Sequence, residues 1–511
     1  MKRPTAFTVY VILVVITAWF SASFFNLDEH YMTLQFAAVK LGRIPASEAP
    51  IEYGFQMRPW LQPGLYTVLL RGMEGVGLRN PFFQVTLLRL GHGVLTIFAL
   101  RALMRRYTPC GAVETEGRNV DGEGVRDWKR RGVWLYAFLP YLSVRTSAEN
   151  LSANLLAFAL LVSEDALVNR NRRGRAAGLS LLGGFLFGLA FEVRYQLVFA
   201  IAGYLASLAL RRAKGALSLV PFAGAGGVLA VAVGALVDHW GYGTWTPPII
   251  AYFRKNMVEG MADSFGKEPF FAYLYLPLAN ICLPAAVACM AGAVAFCAKE
   301  RRHPMTWVMV TFFVGHSAIS HKEERFVFPV LLFAVVASAI SFERWRSSPV
   351  FLRARRFVFP VYAVVNGFAL VLLALLPLNW RGTIRVYKAL YGDVYAREAH
   401  EPTRVIRVMD ATVGAWQTGF YLPAKWERVK ADAKLTCSSS ERTYLLVDET
   451  RGGAPETPAG CTIEPLMSDL DAYAPVASRA RMLWFARTTA RFDFLPHTEW
   501  HTLYRLVPRA R

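Results

Sequence analysis

A chain of 511 residues with 54% hydrophobic content, 14% aromatic content and a positive mean hydropathy is too apolar for an ordinary soluble protein of two or three domains. Its net charge of +20 would suggest nucleic acid in a soluble chain, but no folded soluble segment carries a basic patch interleaved with aromatics, which excludes that partner. The composition implies an all-α polytopic membrane protein.

A spanning helix needs roughly 20 mostly apolar residues, and about eleven such windows follow one another along the chain. They lie near 7–24, 82–104, 132–144, 152–168, 176–194, 196–210, 217–237, 273–297, 306–320, 326–341 and 357–378. The first follows "MKRP" and lacks a small-x-small cleavage site leading into a soluble mature region, so an uncleaved helix is expected. The basic clusters "MKR", "RALMRRY" with "VRDWKRRG", "NRNRRGR", "RRAKG", "KERRH" and "ERWRSS" to "RARR" fall on one alternate set of loops. That is the positive-inside pattern. It places the N-terminus and those loops in the cytoplasm, and 25–81, 238–271 and 379–511 on the far side.

After the first window, "FNLDEHYMTLQFAAVKLG" spaces Leu34, Ala37, Ala38 and Leu41 as an amphipathic helix near the interface would. The prolines and glycine of "EYGFQMRPWLQPG" then predict a turn-rich surface. The polar, Gly-rich "TPCGAVETEGRNVDGEGVRDW" reads as a flexible cytoplasmic loop. Four far-side positions carry charge beside apolar windows: Asp28–Glu29, the "RTSAEN" stretch from Arg145 to Asn150, Glu192 with Arg194, and "HKEERF" at 321–326. Ionisable groups near bilayer depth are expensive and normally face one another or a wet cavity, so their convergence implies a polar chamber.

Each cluster has a plain structural reading beside a functional one. Asp28 and Glu29 either mark a helix end or supply a general base; Glu192 and Arg194 are either an ion pair or substrate contacts. In "HKEERF", Lys322 and Arg325 balance Glu323 and Glu324, consistent with a salt-bridged connector. A helical start would instead put His321 and Arg325 on one face at i and i+4, with Lys322 alongside, as an anion site. The tail from about 379 alternates short β-branched and aromatic runs, "RTYLLVDE", "ARMLWFAR" and "WHTLYRLV", with turn signals such as "RGGAPETPAG", as a small α/β cap would. Cys437 and Cys461 could pair in an oxidising compartment, while Cys110, Cys282, Cys289 and Cys297 lie in loop or membrane segments and no metal-ligand spacing appears.

"HKEERFVFPV", with its apolar continuation, closely resembles the signature of glycosyltransferase family 22, and "NLDEHYMTLQFA" resembles the start of its GPI mannosyltransferase III branch. The resemblance implies a GT-C membrane domain over 1–378, with 25–81 as its catalytic first luminal loop, and an extracytoplasmic region over 379–511. It implies a dolichyl or polyprenyl phosphate mannose donor, a lipid-linked glycan acceptor, inversion to an α-1,2 linkage, no cofactor and no metal. Asp28 would be the base with Glu29 supporting or competing; His321, Lys322 and Arg325 would hold the donor phosphate, Arg58 and Arg194 being further candidates, and Glu323, Glu324 and Glu192 would orient them. The membrane would be that of the endoplasmic reticulum or the bacterial cytoplasm. A polytopic transporter or flippase of lipid-linked glycans, and a GT-C transferase of another sugar, are the alternatives; the chain lacks the repeated broken helices of many transporters.

Overall fold

The computed structural model describes residues 5–21, 24–108, 134–280, 283–345 and 348–375. In the C-terminal part it describes 384, 387–392, 406–410, 418–421, 426–430, 442–448, 457, 460–468 and 501–508. The loop after Thr108, the "ARMLWFAR" run, Cys110, Cys282 and Cys437 lie outside the described residues. The chain forms two compact units: 1–21, 51–66 and 87–376 make the first, and 22–50, 67–86 and 377–511 the second.

The first unit is helical. Among the described residues six helices are long and apolar enough to cross a membrane: Pro81–Tyr107, Ala148–Val168, Arg173–Val193, Ala216–Tyr242, Glu324–Trp345 and Arg356–Leu375. Leu283–Lys299 and Pro304–Ser317, bent by 116° at their break, make a seventh if counted as one span. About eleven were expected, and the difference has a physical cause. Hydropathy scores a segment buried in protein as it scores one in lipid: within the 132–144 window lies the short helix Phe138–Ser143, whose six residues are all buried. Ala6–Phe20, with 15 residues, is about 22 Å long, short of a hydrocarbon core of about 30 Å.

Arg173–Val193 and Ala216–Tyr242 meet backbone to backbone. A Cβ on Gly184 would fall 1.9 Å from the Ala223 carbonyl oxygen, and one on Gly226 2.0 Å from that of Leu181, so this crossing needs glycine. Elsewhere several buried polar groups pair across helices, as the scarcity of water there favours. The Tyr66 hydroxyl lies 2.6 Å from His92 Nε2, and the Asn154 amide donates to Thr96 Oγ1 and Asn150 Oδ1. Asn366 clasps another segment by accepting from the Ala137 amide and donating to the Leu135 carbonyl.

In the second unit the expected helix after Asp28 exists in two pieces, a wide π-helical turn His30–Gln35 and an α-helical turn Phe36–Lys40. Leu34, Ala37 and Ala38 are fully buried. A five-stranded mixed sheet has the order β2-β1-β3-β5-β4, from β1 Ile406–Asp410, β2 Trp426–Lys430, β3 Arg442–Asp448, β4 Cys461–Ser468 and β5 His501–Pro508. β1 pairs in parallel with β2 and β3, while β5 pairs antiparallel with β3 and β4. Leu445, Cys461 and Leu506 form its small core. Cys461 is disulfide-bonded.

Candidate active site

In the first unit a chain of charges joins three segments far apart in sequence. Ser147 caps the helix Ala148–Val168 by accepting from the Asn150 amide, which sets Glu149 in the first turn, where the helix dipole favours a carboxylate. Glu149 Oε1 lies 3.0 Å from Arg194 Nη1 and 3.7 Å from Arg325 Nη1. Glu323 grips Arg325 through two bonds, Nε to Oε2 at 2.7 Å and Nη2 to Oε1 at 2.8 Å. Its Oε1 is also 3.1 Å from His321 Nε2. The Phe326 ring lies against both guanidinium groups, its centroid 5.1 Å from each Cζ. Glu149 is 2% exposed and both arginines 8% in their side chains, so the pairing takes place largely away from water.

The turn carrying Arg325 is not the expected α-helical start. Residues 321–323 are non-helical and Glu324–Val330 is a 3₁₀ helix. The physical reason lies in Lys322, which donates to the carbonyls of Ile319, Ser320 and Glu268 and so satisfies acceptors at the preceding helix end. Glu323 is then extended, with φ −130 and ψ 147. His321 and Arg325 are therefore joined through Glu323 rather than by helical spacing. Burial lowers the Lys322 pKa.

Glu192 and Arg194 do not form the ion pair considered above. Glu192 lies in the last turn of Arg173–Val193 while Arg194 is extended beyond it; the carboxylate partner of Arg194 is Glu149, and Glu192 lies against Gly234 on the neighbouring helix. Arg58 pairs with Glu52 at 3.6 Å and sits over the Tyr252 ring. Arg194 Nε is a buried donor without a hydrogen bond. Glu149 is the member of the charge chain that sequence reasoning missed as a site residue, although "RTSAEN" contains it. A carboxylate in a helix's first turn is too ordinary to single out.

The same 3₁₀ turn has an apolar side. Val327, Phe328 and Val330 line a cavity of about 480 Å³ with Tyr273, Met290 and Phe313. Thus one turn presents a guanidinium to the charge chain and three apolar side chains to a space walled by helices.

In the second unit Asp28 and Glu29 differ. Asp28 is half-buried and its amide donates to Asn26 Oδ1. Glu29 is buried, and its Oε2 accepts from the Phe25 amide at 2.9 Å. Beside them His30 is fully buried against the Tyr421 ring, stacked at 5.7 Å, with Phe24 and Phe420 around it. Neither ring nitrogen has a hydrogen bond. Burial pushes its pKa down from 6.5 to about 3, so the native imidazole stays neutral where the unfolded one takes up a proton. Stability contributed above pH 6.5 is lost as pH falls towards 3, by about 1.4 kcal/mol per pH unit. Melting curves from pH 7 to pH 4 are expected to fall more steeply for the wild type than for His30→Phe; parallel curves would contradict the neutral, buried assignment.

Residues 5–412 match the model of the Alg9-like mannosyltransferase family. Among similar proteins, GPI mannosyltransferase 3 of Gibberella zeae is 30% identical over 112 residues, covering 20% of this chain and 18% of the relative. GPI mannosyltransferase 3 of Schizosaccharomyces pombe is 26% identical over 43% of this chain and 38% of its own length. The mannosyltransferase APTG1 of Arabidopsis thaliana is 22% identical over 65% and 58% respectively. The chain thus aligns with less than two thirds of each of these relatives. The solved structure of ArnT from Cupriavidus metallidurans bound to undecaprenyl phosphate superposes with a TM-score of 0.57 at 12% identity, covering 98% of this chain and 97% of the other. The expected GT-C membrane fold, with its small C-terminal α/β region, is thereby shown.

Proposed function

The chain belongs to the Alg9-like mannosyltransferase family, and from that premise we propose that it moves mannose from a polyprenyl or dolichyl phosphate carrier to a lipid-linked glycan, forming an α-1,2 linkage as in GPI-anchor assembly. The observation that carries the donor class is the two-sided turn Glu324–Val330. Arg325 joins the charge chain while Val327 and Phe328 border the apolar cavity, an arrangement suited to an anionic phosphate on an apolar tail. The names of the GPI mannosyltransferase relatives support the sugar and the pathway, and undecaprenyl phosphate in the ArnT structure supports the carrier class.

The reaction is a single inverting displacement. The acceptor hydroxyl oxygen attacks the anomeric carbon, the bond from that carbon to the phosphate oxygen breaks, and the carrier phosphate leaves with the electron pair. Asp28 takes the hydroxyl proton; Glu29 is the lesser candidate because its carboxylate already serves the Phe25 amide. Arg325, Arg194 and His321 stabilise the departing phosphate, with Glu323 and Glu149 holding the guanidinium groups in place. Lys322, engaged with backbone carbonyls, steadies the turn. We assign Arg58, Glu192 and Glu324 supporting roles around this machinery. The active site faces the luminal or extracytoplasmic side, in the endoplasmic reticulum or a bacterial cytoplasmic membrane; the disulfide at Cys461 supports an oxidising compartment for the tail.

Purified protein in proteoliposomes, given labelled dolichyl phosphate mannose and a mannosylated glycolipid, is expected to label the acceptor equally with and without a chelator. Transfer from a nucleotide sugar but not from the lipid phosphate would overturn the donor assignment. Movement of the glycolipid across the bilayer without sugar transfer would favour the flippase alternative.

A further inference from the structure

A second cavity, of about 230 Å³, lies within the first unit. It is lined by the start of the helix Ala6–Phe20, by the last turns of Pro81–Tyr107 and by Trp134. Two guanidinium groups, Arg101 and Arg105, face it from one side of their helix at i and i+4. Like charges at this spacing repel. The next arginine, Arg106, is neutralised by Asp165 at 3.4 Å, but neither Arg101 nor Arg105 has a carboxylate partner among the described residues. Arg101 instead rests on the Phe7 ring, 5.1 Å from its centroid, an arrangement that leaves its N–H donors available. Phe7 packs edge-on against Trp134 at 5.0 Å.

The opposite wall adds positive potential without a charged side chain. Thr5 caps the helix by accepting from the Thr8 amide, while the amides of Ala6 and Phe7 have no acceptor within the helix and lie at its positive end. The site combines two guanidinium groups, helix-start amides and an aromatic wall. Its depth is set by Pro81–Tyr107, whose 27 residues extend about 40 Å, so that Arg101 and Arg105 fall at headgroup level.

We propose that this cavity binds the phosphate of an anionic phospholipid from the leaflet at this end of Pro81–Tyr107. The shared chemistry is a phosphate group; the lipid is favoured over a soluble phosphate because the cavity lies beside the last turns of a membrane-crossing helix. Basic pockets between such helices are known to hold anionic headgroups. The site is separate from the charge chain around Glu149 and binds lipid as an annular cofactor of the fold, not as a substrate.

The test uses the full chain purified in a neutral detergent and titrated with dioleoylphosphatidylglycerol, dioleoylphosphatidylcholine or inorganic phosphate, with retained lipid read by native mass spectrometry and melting temperature read in parallel. The wild type is expected to retain phosphatidylglycerol in preference to phosphatidylcholine. R101Q/R105Q should bind it about thirtyfold more weakly. R101K/R105K, which keeps the charge, should recover most of the binding, and R106Q should leave it unchanged. Equal retention of phosphatidylglycerol by the wild type and the glutamine pair overturns the site. Stabilisation by inorganic phosphate without retention of the lipid overturns the lipid as its source. If the glutamine pair does not fold, the wild type decides alone: equal retention of the two phospholipids overturns the proposal.

Discussion

Asp28→Asn is expected to abolish most mannosyl transfer, by about 10²–10⁴-fold, while leaving the protein folded and able to bind its donor. Asparagine keeps the shape of aspartate and can still meet neighbouring hydrogen-bond donors, but it cannot receive a proton from the acceptor hydroxyl. The loss corresponds to about 3–5 kcal/mol of transition-state stabilisation, so it should appear in kcat with little change in donor binding. Asp28 is half-buried, and the substitution introduces no large cavity. Glu29→Gln is the informative companion. The glutamine oxygen can still accept from the Phe25 amide, as Glu29 Oε2 does at 2.9 Å, so the local turn should survive with activity largely retained. Initial rates on labelled lipid phosphate mannose, with the melting temperature of each variant, check both. Full activity in Asp28→Asn would remove it as the base; loss in Glu29→Gln alone would move that role one residue along.

Glu149→Ala is expected to cost about 3–5 kcal/mol of stability, a large share of the roughly 5–15 kcal/mol that holds an ordinary domain together. Glu149 lies within ion-pair distance of both Arg194 and Arg325, and its removal leaves Arg194 buried without a carboxylate partner among the described residues while Arg325 keeps Glu323. Reversing the order of loss supplies the control. Arg194→Leu in the Glu149→Ala background should restore part of the stability by removing the stranded charge, and a double-mutant cycle on melting free energies measures the coupling. A melting temperature for Glu149→Ala within a degree or so of wild type would show that water already screens the pair. Because Arg325 also belongs to the proposed phosphate-holding set, folded Glu149→Ala protein should bind donor differently even where stability is rescued.

Much of this was legible in the residues. The apolar runs announced a membrane protein, since burying backbone in lipid requires long helices, and "HKEERFVFPV" with "NLDEH" pointed to the family that the match over residues 5–412 confirms. The β3 and β5 strands were foreshadowed by "RTYLLVDE" and "WHTLYRLV". Helix length was less legible. An apolar residue carries the same signal whether it meets lipid or protein, so the buried Phe138–Ser143 reads in sequence like part of a span.

A salt-bridged connector within "HKEERF" was legible, and Glu323 does pair with Arg325, but partnership between segments was beyond local pattern. Glu192 and Arg194 look like a pair because they are close in sequence, yet their side chains leave the backbone in different directions and Arg194 meets Glu149. Helical spacing put His321 and Arg325 on one face; the structure joins them through Glu323 because Lys322 ties the preceding turn to carbonyls. Residue order alone thus settled the membrane class, the family and the chemical types available, because those follow from composition and short contiguous motifs. That Glu149 neutralises Arg194, and which side of the Glu324–Val330 turn meets charge and which meets an apolar cavity, was decided only when distant helices packed, since ion pairing depends on distance and dielectric in space and not on separation along the chain.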